Sequence, residues 1–144
     1  MPPPIGCMCC RSSRVRALTT EVRGLALLLW SATPERPQIC VTPFIHALAA
    51  RALDAEVEIH FAGPAVRLLV AGVADHLYPT PEREKSLLAF MAEASAAGAA
   101  FFACSMARAA FVAGGESLIP QARAAGATTF VARSLDPAWR TLVF

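Results

Sequence analysis

Cys104 is the residue with the clearest chemical prospect. It ends the apolar run Ala99-Ala100-Phe101-Phe102-Ala103 and opens onto Ser105-Met106-Ala107-Arg108-Ala109-Ala110. A short apolar run reads as a buried strand, and the alanine-rich stretch behind it reads as a helix. A thiol delivered to the first turn of a helix meets unpaired N–H groups and the positive end of the helix dipole, which favour the nucleophilic thiolate. Arg108, four residues on, falls on the same helical face and would hold such an anion, against its commoner role as a solvent-facing charge. Ser105 either caps the helix or donates a hydrogen bond to sulfur. The competing reading of Cys104 is a small buried hydrophobe, the usual fate of a free cysteine.

The other chemistry-bearing residues make weaker constellations. Cys40 falls in the loop after the first expected strand, where it would act as a resolving thiol; its apolar neighbours Ile39 and Val41 argue for simple burial. Cys7, Cys9 and Cys10 crowd the N-terminal segment, but no second cluster with zinc-site spacing accompanies them. His46, His60 and His76 lack a ligand partner three or four residues away, so no metal site is expected. Asp75 and His76 are adjacent and do not face each other, and no Gly-x-Ser-x-Gly turn supplies a serine nucleophile. The segment after the first strand, Ser31-Ala32-Thr33-Pro34-Glu35-Arg36-Pro37, has no glycine to cradle a phosphate. No cofactor is expected.

Composition narrows the class further. At 144 residues the chain fits one domain that can bury a core without disulfides. Its 56% hydrophobic content is largely alanine and is dispersed, and no uncharged run is long enough to span a bilayer. Thirteen basic residues are interspersed with eleven acidic ones, giving a net charge of +2 and no basic stripe, which argues against nucleic acid. Five cysteines, an odd number without framework spacing, point to reduced thiols and a cytoplasmic setting. Residues 1–23, with Pro2-Pro3-Pro4 and no long apolar stretch, read as a flexible tail without a secretion signal; residues 24–144 read as the domain.

The elements that must position Cys104 follow from periodicity. Residues 25–30 form a continuous apolar run, the pattern of a strand buried on both faces. Thr42 before Pro43 predicts a helix start, with Ile45, Leu48, Ala49, Ala52 and Leu53 as its buried stripe. Residues 56–61 alternate, Val57, Ile59 and Phe61 opposite Glu56, Glu58 and His60, which predicts an edge strand or a subunit contact. Thr80-Pro81-Glu82 predicts the start of a helix that buries Leu87, Phe90, Met91 and Ala94 and stops at Gly98. After the cysteine, residues 117–125 read as a helix, 127–132 as a strand, 135–138 as a turn and 140–144 as a final strand. Strands separated by helices imply a mainly parallel sheet whose functional groups gather at its carboxyl edge. That rule would bring together residues 31–41, 62–64, Cys104 and the turn at residues 133–136.

The order of elements, with Gly98-Ala99-Ala100-Phe101-Phe102-Ala103-Cys104-Ser105-Met106 and Gly126-Ala127-Thr128-Thr129-Phe130-Val131-Ala132, resembles the DsrE/DsrF-like proteins of sulfur relay across residues 25–144. The resemblance implies a three-layer α/β/α fold around a mainly parallel five-stranded sheet, assembled as a homo-oligomer, a trimer or hexamer. It also implies that a cysteine at the position of Cys104 carries a persulfide and passes its sulfur to a small carrier protein. Past the cysteine the chain departs from the family pattern, with Ala109 and Val112 where acidic and glycine residues are usual. Two other functions fit the same sequence: a non-catalytic oligomeric binding module, and a small-molecule or nucleotide site at the sheet's carboxyl edge.

Overall fold

The computed structural model describes residues 21–144. Cys7, Cys9, Cys10 and all but the last three residues of the expected tail lie outside the described residues. Strands β1 (Gly24–Leu29), β2 (Glu56–Phe61), β3 (Ala100–Cys104), β4 (Ala122–Ala125) and β5 (Trp139–Val143) form one sheet in the order β4-β3-β2-β1-β5, every pair parallel. Helices α1 (Pro37–Cys40), α2 (Thr42–Ala52), α3 (Leu87–Ala96) and α4 (Ser105–Phe111) connect β1 through β4 in one direction across the sheet. Helix α5 (Ala127–Leu135) then returns the chain from β4 to the far edge at β5. Since parallel crossovers are right-handed, reversing direction places α5 on the opposite face from the others. The result is the expected three-layer α/β/α arrangement.

Side chains alternate between faces along each strand, so the register assigns every residue to one layer. Leu27, Leu29, Ile59, Phe61, Phe101 and Ala103 point toward α2 and α3 and are buried with Phe44, Ala47, Leu87, Met91 and Ala94. Three rings lock this side, Phe44 lying 6.2 Å from both Phe61 and Phe101, which are 5.7 Å from each other. The 3₁₀ turn Gly63–Leu69 seals the core beside α4 with Ala65, Val66, Leu68 and Leu69. The other face carries Ala26, Leu28, Glu58, His60, Phe102, Cys104 and Trp139, since Leu28 pairs with His60, His60 with Phe102, and Gly24 with Trp139.

Several expectations from periodicity are corrected. β2 is the central strand, between β1 and β3, and its polar residues Glu58 and His60 are buried under α5 rather than at an edge. Helix α2 buries Pro43, Phe44 and Ala47, while Ile45 and Leu53 are exposed; the stripe is turned because the Phe44 ring fills the gap over β2 and β3. Thr42 does not cap α2, since the chain enters from α1 already helical at Val41. Helix α3 begins at Leu87, with Ser86 Oγ accepting from Ala89 N at 3.3 Å, rather than at Thr80. Residues 80–85 hold no aliphatic or aromatic side chain to bury, and Arg83 adopts a left-handed φ of 55° that ends any helix there. Residues 117–125 and 127–132 exchange their expected states: β4 is a strand of small residues held by its ladder to β3, and 127–132 lie in α5. Tertiary pairing overrides the helix propensity of alanine in β4, and α5 sets Phe130 and Arg133 three residues apart on one side.

Candidate functional site

At the carboxyl edge of the sheet Cys104 is the last residue of β3 and the N-cap of α4, with φ −62° and ψ 123°. The parity of β3 turns its side chain toward α5, where it lines a cavity of about 270 Å³. Leu28, His60, Phe102, Phe130 and Val131 line it as well. Neither a lysine nor an arginine lines it. The thiol is therefore part of the lining of an apolar chamber between the central strands and α5.

The other expected site residues are dispersed. Ser105 Oγ donates to Ala125 O at 3.4 Å, bridging α4 to the end of β4 instead of capping the helix. Arg108 is exposed and lines a separate cavity of about 840 Å³, with Ser105, Val112 and residues 113–119, so it does not line the chamber that holds Cys104. Cys104 is the extended N-cap of α4, so its side chain follows the parity of β3 and not the helical face on which Arg108 lies. Cys40 ends α1 on the other side of the sheet, fully buried among the Leu27 and Phe44 core. Its Sγ donates to Thr33 O at 3.2 Å, and burial pushes its thiol up to about 11. Nothing brings Cys40 to Cys104 as a resolving thiol. The turn at residues 133–136 precedes β5, which places it at the amino edge of the sheet, opposite the site.

What periodicity missed is a polar chain running under α5 toward the chamber. Arg133 Nη2 donates to Glu58 Oε1 at 2.6 Å and Nε to Oε2 at 3.0 Å, a bidentate grip. His60 Nε2 lies 3.2 Å from the same Oε2. Burial pushes the Glu58 carboxyl up, but the Arg133 and His60 contacts outweigh it and hold the group below the usual carboxylate range. Burial drives the His60 pKa down, and the nearby Glu58 only partly offsets it, so the imidazole is neutral at pH 7. The His60 ring stacks on Phe102 at 5.0 Å and meets Phe130 edge-on at 5.3 Å. Arg133 in turn lies over Trp139, 4.1 Å from the ring centre. The one available signal was the alternation of Glu56, Glu58 and His60 with apolar residues along β2.

His46 and His76 are exposed, and no three metal-ligating side chains converge among the described residues. No helix among them is long and apolar enough to cross a membrane.

A wholly parallel five-stranded sheet, helices on both faces and a cysteine at a strand's carboxyl end define an α/β protein with a cysteine at the sheet edge. The chain belongs to the DsrE/DsrF-like family, whose sequence model matches residues 25–144. A comparison with curated proteins gives no match. Family membership carries a general association with sulfur relay.

Proposed function

We propose that the protein accepts persulfide sulfur on Cys104 and passes it to an acceptor thiol. One observation carries this reading: of the cysteines among the described residues, Cys104 reaches a cavity while Cys40 is sealed in the core. The Cys104 sulfur attacks the outer sulfur of a donor persulfide, forming a Cys104 persulfide and releasing the donor thiol. An acceptor thiolate then attacks that outer sulfur and frees Cys104 again. Each step breaks one S–S bond and forms another, so no external oxidant or reductant is consumed.

In this reading the acceptor is a small sulfur-carrier protein and the working form is an oligomer of the chain. Exposed Trp30, Leu135 and Val143 supply apolar surface in support of assembly. Intact mass spectrometry after incubation with a persulfide donor tests the central claim. The wild type is expected to gain one more sulfur than Cys104→Ser; equal gain by both proteins would remove Cys104 from the reaction.

A further inference from the structure

The chamber at Cys104 is lined by a second reactive side chain, the imidazole of His60. His60 is only 5% exposed, and it lines the chamber together with Cys104. Glu58 is held on both oxygens by Arg133, so it is ionised and can only accept hydrogen bonds. The His60 Nε2 facing it must carry the imidazole proton. That fixes the tautomer and leaves Nδ1 with a bare lone pair. Nδ1 makes no hydrogen bond among the described residues, while stacking on Phe102 and the edge of Phe130 hold the ring in place. A neutral imidazole nitrogen in that state can accept a proton.

The register places this atom relative to the thiol. His60 pairs with Phe102, and Cys104 lies two residues further along β3 on the same face. Strand spacing and rise put the two Cα atoms about 8 Å apart on the diagonal. An imidazole and a thiol that line one chamber close much of that span.

We propose that His60 is the proton acceptor for Cys104, and that their shared chamber binds the apolar end of a small neutral persulfide. The proposal rests on the sulfur-transfer reading above and adds to it a base and a class of donor. Nδ1 takes the Cys104 proton as Sγ attacks the outer sulfur of R–S–SH; the new S–S bond forms, the old one breaks, and the departing R–S⁻ recovers the proton from His60. Cys104–SH and R–S–SH thus give Cys104–S–SH and R–SH. Glu58 and Arg133 are positioning residues, acting through the tautomer they impose. Leu28, Phe102, Phe130 and Val131 choose the donor, because a charged group entering among them would lose its hydration with no cation to meet it.

The test follows sulfur on the Cys104 peptide of the full chain by mass spectrometry, with benzyl hydropersulfide as donor. The charged groups facing His60 are Glu58 from β2 and Arg133 from α5; β1 and β3 add Leu28, Phe102 and the thiol itself. His60→Gln keeps an N–H for Glu58 and removes the base. It is expected to load about a hundredfold more slowly at pH 7, with the deficit narrowing in alkaline buffer as hydroxide takes over the work of the missing base. Equal rates for wild type and His60→Gln across pH would overturn the proposal while leaving Cys104 as carrier; no loading of the wild-type peptide at any pH would instead overturn the sulfur-transfer reading. Glutathione persulfide, a charged donor, is expected to load more slowly than the benzyl compound at equal concentration, and faster loading would remove the apolar donor class. Nitrogen NMR of the wild-type histidines needs no variant: a neutral His60 protonated at Nε2 is expected at pH 7, and a proton on Nδ1 would overturn the assignment.

Discussion

Arg133, near the end of α5, grips both carboxylate oxygens of Glu58 in the middle of the central strand, at 2.6 and 3.0 Å. This pair pins α5 to the sheet at the depth where a lone charge would be costly.

Arg133→Leu leaves the Glu58 carboxylate enclosed without its partner, and is expected to lower stability by about 3 kcal/mol. Adding Glu58→Leu to that variant removes the stranded charge and is expected to restore most of the loss. Urea unfolding of the four proteins of this cycle measures both values. A second substitution that deepens the first loss would contradict the pairing.

Acid should act on the same group of residues in two stages. His60 is depressed below its ordinary 6.5 and Glu58 below its ordinary 4.5. In both cases the unfolded chain binds the proton first, so the stabilisation is complete above the unfolded value and fades as pH falls through the folded one. Urea midpoints are therefore expected to fall below pH 6.5, and to fall further below pH 4.5. His60→Gln should flatten the first decline and spare the second.

Gly24 is required by its neighbour across the β1–β5 ladder. A Cβ built on Gly24 would stand 2.7 Å from the Trp139 ring, over which Arg133 also lies. Gly24→Ala is expected to cost about 1 to 3 kcal/mol through overpacking. The same change made together with Trp139→Leu should cost much less, as read from thermal melts of the double-mutant cycle.

Alkylation should separate the two described cysteines. With peptide mapping of the full chain in native buffer, iodoacetamide is expected to modify Cys104 in minutes to hours while Cys40 remains free until denaturant is added. The core position of Cys40 and its thiol at about 11 both oppose reaction. Native labelling of Cys40 at the rate of Cys104 would contradict its placement.

The parts of the fold visible in the sequence were those where burial and periodicity agree. β1, β2 and β3 each carry an apolar run or a strict alternation, and Leu87, Met91 and Ala94 repeat at helical spacing and are buried as expected. The segment after Gly115 was not visible, because Ala122-Arg123-Ala124-Ala125 has the composition of a helix and is a strand only by pairing with β3. Misplacing α5 also concealed the site's second face: Arg133, read as part of a turn, meets Glu58 across 75 positions of chain. The place of Cys104 at the end of β3 could be read from its local context, whereas the contacts that β3 and α5 make with His60 leave no local pattern.

Helix α5 is the only helix over its face of the sheet among the described residues, and none of its own residues is buried. Its attachment depends on Phe130 and Arg133 rather than on a packed apolar stripe, so amide exchange with deuterated solvent should reach it well before β1, β2 or α3. Each such opening would lift the roof from the thiol and the imidazole together. Access for a visiting molecule would then be set by the breathing of one helix, with the rest of the architecture standing still.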